Sequence, residues 1–282
     1  MPNQIDPGQI DPGQIDKATL FLSLHAGTTP LLLPNPWDTG SARLLASLGF
    51  RALATTSSGF AATLGRLDGT VTRDEALAHA RAIVGATDLP VSADLENGFA
   101  DDPTSVAETV GGALECGLAG CSIEDATGRS DPPVYDVAAA AERVAAAAQA
   151  AHAGDAHLVL TARAENHLHG IDDLADTIAR LQRYQEAGAD VLYAPGVTRL
   201  EDIRQIVASV DRPVNVLALP GAPPVSELAA VGVGRISVGG AFAFAALGAV
   251  VRAARELIDE GTYGFWEQAG PGAKAARAAF AD

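Results

Sequence analysis

The feature that most constrains this chain is an alternation that begins near residue 20 and continues almost to the end. Short apolar runs recur: LLLPNP (31–36), RALATTS (51–57), LPVSADLE (89–96), GCSIED (120–125), HLVLTAR (157–163), ADVLYAP (189–195), PVNVLAL (213–219) and GRISVG (234–239). Between and after them, alanine-rich spacing predicts helices over 41–48, 72–84, 102–116, 136–151, 171–187, 200–209, 225–231 and 241–260. Several open on a capping residue, such as Thr72 with Glu75 three positions on, and several close on glycine, at Gly49, Gly117 and Gly188. Strands that are apolar throughout, each followed by a helix, make a parallel sheet covered by those helices. About eight βα units without a Rossmann-type glycine fingerprint favour an α/β fold, a (β/α)8 TIM-type barrel; the alternative is an open doubly wound sheet.

A chain of 282 residues with 48% apolar content has the material for one such barrel. The formal charge of −16 argues against a nucleic-acid partner or an anionic membrane, which a basic patch would serve. It leaves room for an anionic small substrate, because a few arginines and a metal reverse the field locally. Cys116 and Cys121 are too few for a disulfide scaffold and read as small buried residues in a reducing compartment. The longest apolar stretch, 241–251, is too short to span a bilayer, and the N-terminus lacks the basic start and apolar segment of a signal peptide. A cytoplasmic protein is expected. Residues 1–16 repeat QIDPG, and the Pro-Gly pairs predict a disordered tail over 1–18, with one barrel domain and a C-terminal helical extension over 19–282.

In such a barrel the active site lies where the strands end. Unusual polar residues gather there: Asp38 after the first run, Ser57, Ser58 and Gly59 at the second, and Asp68 in the loop that follows. Asp94 and Glu96 end the third, Glu124 and Asp125 the fourth, Arg163 and Glu165 the fifth, Tyr193 the sixth, and Asn215 lies in the seventh. If the third strand runs through "SADLE", Asp94 and Glu96 point to one side, where like charges repel unless a cation lies between them. Carboxylate oxygens without nearby cysteine or clustered histidine suit Mg²⁺ (with Mn²⁺ as a substitute) rather than zinc, so Asp94, Glu96 and Glu124 are the expected metal ligands. Arg163, on an otherwise apolar strand, matches a substrate carboxylate with its planar fork, or else forms a structural ion pair with Glu165 or Asp94. His167 and His169 are placed to reach the cavity mouth or to sit in a solvated loop.

With these residues assembled, the chain resembles the phosphoenolpyruvate mutase/isocitrate lyase superfamily from about residue 31 to 266. The resemblance is carried by "SGFAATLGRLDG" (58–69), "SADLENGF" (92–99), "AGCSIEDATGR" (119–129), "LTARAEN" (160–166) and the segment 213–240. It implies that Ser58, with the backbone N–H groups of Gly59 and Phe60, cradles the oxo or enolate oxygen of a substrate. It further implies that Asp68 faces substrate and metal, that Asp94 binds Mg²⁺ with Glu96 and Glu124 holding its water shell, and that Arg163 binds the substrate carboxylate. Tyr193 and Asn215 complete the expected substrate contacts, with Asp68, Arg163 and Glu124 as the catalytic set.

The chain also departs from that pattern. The isocitrate and methylisocitrate lyases carry a cysteine-bearing loop after the fourth strand, and here 126–135 reads ATGRSDPPVY. The histidine that the mutase branch carries after the sixth strand is replaced by Ala194 or Pro195. The expected function is a Mg²⁺-dependent lyase-type enzyme making or breaking a C–C bond in a small 2-oxo or 2-hydroxy acid through an enolate. The alternatives are phosphonate chemistry at a C–P bond and a 2-oxo acid binding barrel without catalysis. The loop 126–135 is either a gate that uses Arg129 and Tyr135 or a plain connector. The apolar Gly264-Phe265-Trp266 segment points to a homodimer or homotetramer.

Overall fold

The structure is a computed structural model and describes residues 12–281. Eight parallel strands form one sheet: β1 (Leu31–Leu33), β2 (Leu53–Ala54), β3 (Val91–Asp94), β4 (Gly120–Glu124), β5 (Val159–Arg163), β6 (Val191–Tyr193), β7 (Val214–Leu217) and β8 (Arg235–Ser237). Their order runs from β2 round to β8, and β8 pairs with β1. The Ala54 N–H donates to the Pro34 carbonyl at 3.1 Å and links β2 to the end of β1. The sheet is therefore a nearly closed (β/α)8 barrel and not the open doubly wound alternative.

The helices fall where the sequence spacing predicts them. They are α2 (Thr39–Ser47), α4 (Arg73–Val84), α5 (Pro103–Glu115), α6 (Val137–Ala151), α7 (Leu174–Glu186), α8 (Leu200–Ala208), α9 (Val225–Ala230) and α10 (Ala241–Arg255). Thr72 caps α4 as expected: its hydroxyl accepts from the Glu75 amide while Glu75 accepts from the Thr72 amide. Behind the sheet, Leu95, Val106, Val110, Leu118, Leu160, Leu181 and Leu192 are fully buried. Each such leucine contributes roughly 2 kcal/mol on removal from water.

Two elements differ from the expectation. Helix α1 (Pro12–Leu24) takes in residues assigned to a tail over 1–18. Proline is tolerated in the first turn of a helix, so the last Pro-Gly pair opens α1 instead of a loop. Gln14 then donates to the Leu114 and Leu118 carbonyls, while Ala18 and Phe21 are buried at the N-terminal end of the barrel. Gly120 makes that close approach feasible, since a Cβ there would lie 2.7 Å from the Phe21 ring and 2.8 Å from the Val159 carbonyl oxygen. The rest of the repeat, 1–11, lies outside the described residues. The second difference is α3 (Ser57–Thr63), one short helix directly after β2.

After α10 the chain passes through a π-helical turn (Glu256–Glu260) into α11 (Trp266–Ala279), which lies against α2. Phe244, Val250, Val251, Ile258, Tyr263 and Trp266 are all exposed along this extension, Ile258 to 80%. Among the described residues no helix is long and apolar enough to cross a membrane.

Candidate active site

Strand register builds the site. Glu124, Arg163, Tyr193, Asn215 and Arg235 are successive lateral partners across β4 to β8, so a single row around the barrel carries them. Asp94 stands beside Ser122 in the neighbouring pair of strands. Together with Ser57, Ser58 and Asp68, most of this row lines a cavity of about 200 Å³. A wider cleft of about 850 Å³ adjoins it, lined by Glu96, Glu124, Glu165 and His169 and sharing Ser57, Asp68 and Arg163 with the cavity.

The centre of the site is Arg163, whose guanidinium bonds three acids at once. Its Nη1 lies 3.0 Å from Asp94 Oδ1, its Nη2 3.0 Å from Glu124 Oε2, and its Nε 2.8 Å from Glu165 Oε1. Burial works against its charge, but Glu165, Glu124 and Asp94 outweigh burial and hold it above its ordinary value. The acids remain in excess of this cation. Burial, with repulsion from Asp94 and Asp68, pushes Glu96 up to about 7. Burial also raises Glu124, against the pull of Arg163, and raises Asp68. Five oxygen-donor acids around one arginine form a donor set that suits a hard divalent cation. If Glu96 belongs to that set, a proton competes with the cation below about pH 7. Calorimetric Mg²⁺ affinity is then expected to fall about tenfold for each pH unit below that point and to level off above it. A profile flat from roughly pH 5.5 to 8 would remove Glu96 from the metal set.

Several expected positions are corrected. Strand β3 ends at Asp94, and Glu96 lies beyond it in a left-handed turn with φ of 48°, so strand alternation does not place it. Its side chain lines the cleft, while the cation actually lying between Asp94 and Glu124 is Arg163. The Gly59 amide donates to Thr56 Oγ1 (3.3 Å) and the Phe60 amide to the Thr56 carbonyl (3.0 Å), as the first turn of α3 requires. Neither is turned to the cavity, and the Phe60 ring stacks on His79. Ser58 does line it, with its hydroxyl 3.2 Å from Thr56 Oγ1.

Asp38 caps α2, accepting from the Ser41 amide, and takes no part in the site. Asp125 alternates outward from Glu124 and is buried behind the sheet, where Arg180 Nη1 (2.9 Å) and the Tyr184 hydroxyl (2.5 Å) donate to Oδ2. His167 pairs with Asp172 at 3.2 Å, whereas His169 reaches the cleft. Arg129 and the Tyr135 hydroxyl both bond Asp101, which ties the loop 126–135 down. Cys121 is fully buried, and burial lifts its thiol to about 12, so it offers no acid or base to the cavity.

Glu165, expected at a strand end and as an ion-pair partner of Arg163, is found in that pair, whereas Arg235 had no place in the expected site. Arg235 is buried under the cavity, donating to Asn215 Oδ1 (2.9 Å) and Thr161 Oγ1 (3.0 Å). Burial and then the Arg163 charge lower it to about 10. An arginine inside the apolar run GRISVG was the available signal.

Fold and site define a class first: a barrel enzyme with an acid-rich, arginine-anchored cavity at the C-terminal ends of its strands. The family follows from comparison. Residues 21–258 match the model of the phosphoenolpyruvate phosphomutase family, and the chain belongs to it, within the PEP mutase/isocitrate lyase superfamily. It is similar to a putative lyase/mutase from Burkholderia cenocepacia J2315, at 52% identity and a TM-score of 0.92, covering 95% of this chain and 96% of that one. A putative phosphonomutase from the same organism is 37% identical with a TM-score of 0.81, covering 88% of this chain and all of the other. The 2-methylisocitrate lyase of Escherichia coli is 31% identical over 66% of this chain and 64% of its own length.

Proposed function

We propose that this enzyme makes or breaks a C–C bond in a small 2-oxo or 2-hydroxy carboxylic acid through an enolate, with Mg²⁺ held by Asp94, Glu96 and Glu124. The observation that carries the reading is the excess of carboxylates around Arg163 at the mouth of a cavity sized for a small acid. A bound Mg²⁺ supplies the positive charge that stabilises an enolate oxygen as it develops. Arg163 presents the planar fork that a substrate carboxylate requires, and Asp94 and Glu124, which bond it here, are two of the acids that would hold the ion. The Ser58 hydroxyl, at the cavity wall, donates to the substrate oxygen. Asp68, raised by burial, lies between cavity and cleft and carries the proton to or from carbon. Tyr193 and Asn215 hold the far side of the substrate. The exposed apolar extension after α10 is covered, on this reading, by a second copy of the chain in a homodimer or homotetramer.

Phosphonate chemistry is the second reading. The similarity to a putative phosphonomutase favours it, as does the absence of any cysteine in the loop 126–135. A thermal-shift titration with and without Mg²⁺ separates the two. The ligands are pyruvate, oxaloacetate, 2-oxoglutarate, isocitrate, methylisocitrate, phosphonopyruvate and phosphoenolpyruvate. Stabilisation by one carbon acid, only with Mg²⁺ present, is the expected result. Stabilisation by the phosphorus compounds alone replaces the C–C reading with the C–P one. Binding without turnover of any ligand defines a binding barrel, and no shift with any of them overturns the substrate class.

A further inference from the structure

At the opposite end of the barrel from the cavity, three side chains converge that the proposed reaction does not use. His152 caps the C-terminus of α6, His157 lies in the loop before β5, and Asp190 immediately precedes β6. The two imidazoles are stacked, with ring centroids 4.0 Å apart and planes within 9°. Each directs its Nε2 at the same carboxylate: His152 lies 3.0 Å from Asp190 Oδ2 and His157 lies 2.9 Å from Oδ1. The three donor atoms lie within 4.8 Å of one another.

We propose that His152, His157 and Asp190 form a second metal site, for a transition-series divalent cation of the Zn²⁺ type. Two imidazole nitrogens and one carboxylate oxygen are a donor set that prefers such ions to Mg²⁺, unlike the all-oxygen set of the cavity. Ligands on one Zn²⁺ stand at about 2.0–2.2 Å from it, hence roughly 3–4 Å from each other. The observed spacing therefore needs only a small inward adjustment when a cation replaces the protons on Nε2. The carboxylate is already oriented, because the Leu160 amide donates to its Oδ2 at 2.9 Å.

Charge balance points the same way. Asp190 is only 7% exposed, and among the described residues neither lysine nor arginine pairs with it. Hydrogen bonds from His152, His157 and the Leu160 amide satisfy the carboxylate, and a divalent cation would add the full counter-charge that they do not carry. His157 has 43% of its side chain exposed, which leaves a path for the ion and coordination positions open to water. The bound ion would tie the end of α6 and the loop 153–156 to the start of β6, bracing the lower rim of the barrel.

The test uses the full chain, saturated with Mg²⁺ and titrated with Zn²⁺ by calorimetry, with melting temperature as a second readout. Wild type is expected to bind one Zn²⁺ in a tight phase and to melt at a higher temperature with it. His157→Ala is expected to lose both effects, whereas Asp94→Ala keeps them because the cavity is not involved. His157→Gln serves if the alanine variant misfolds. In Cu²⁺-loaded protein, electron paramagnetic resonance is expected to show coupling to two nitrogens. Zinc binding that survives His157→Ala, or that is lost with Asp94→Ala, assigns the ion to the cavity and overturns the site. Failure of wild type to bind Zn²⁺ leaves the cluster a hydrogen-bonded clasp and overturns it equally.

Discussion

Asp94→Ala is expected to lower kcat/KM by about 10³-fold or more, roughly 4 kcal/mol of transition-state stabilisation, while the fold survives. The survival follows from the geometry. Asp94 is one of three acids on Arg163, and its removal leaves Glu124 and Glu165 to balance the guanidinium. What is lost is local: Oδ1 accepts from the Glu96 amide at 3.3 Å and Oδ2 from the Ser57 amide at 3.2 Å, so the carboxylate also positions both neighbours. Asp94→Asn separates the two contributions. It preserves the oxygen that accepts from the Glu96 amide and Arg163, gives up the acceptor of the Ser57 amide and removes the charge, so on the metal reading its turnover falls nearly as far. Turnover at saturating Mg²⁺, with circular dichroism to confirm folding, decides the matter. Activity near wild type in the asparagine variant would refute Asp94 as a metal ligand.

The barrel was legible because its strands are short, apolar throughout and each followed by a helix, a pattern that survives errors at element boundaries. Alternation within a strand separates Glu124, which faces the site, from Asp125, which faces Arg180 and Tyr184 behind the sheet. The sequence placed both at a strand end and named Glu124 alone as a ligand, but the bonds of Asp125 to Arg180 and Tyr184 depend on packing behind the sheet. Glu96 was out of reach for another reason. The strand stops at Asp94, and a left-handed turn takes over, which no periodicity encodes. Helix α1 was hidden by its own opening, since a Pro-Gly pair reads as a turn until the hydrogen bonds of Gln14 to the Leu114 and Leu118 carbonyls are known. The lateral row from Glu124 to Arg235 depends on register between strands, and register is a tertiary property.

Arg163→Gln carries the largest expected effect on stability, about 3–5 kcal/mol at neutral pH, because it strands buried acids without their cation. Arg163 is 14% exposed in its side chain and bonds Asp94, Glu124 and Glu165; Glu96 and Asp68 add repulsion to the same cluster. The pH dependence has a definite sign. Glu96 is raised in the folded protein to about 7 from an ordinary 4.5, so its contribution is fully present below the ordinary value and is lost as pH rises through about 7. Removing Arg163 removes a pull that lowers Glu96, Glu124 and Glu165, so in the variant the loss deepens and extends to higher pH. Melting temperature in Arg163→Gln is thus expected to lie far below wild type at neutral pH and to recover in part as the solution is acidified. Mg²⁺ is expected to raise it further than it raises wild type, because the ion then supplies charge that Arg163 otherwise provides; saturation at a hundred times Kd is worth about 2.7 kcal/mol. Destabilisation that is independent of both pH and Mg²⁺ would mean that Arg163 acts through packing alone. A wild-type melting curve in all conditions would show that the acids do not depend on it, and the charge argument for the metal set would fall with that result.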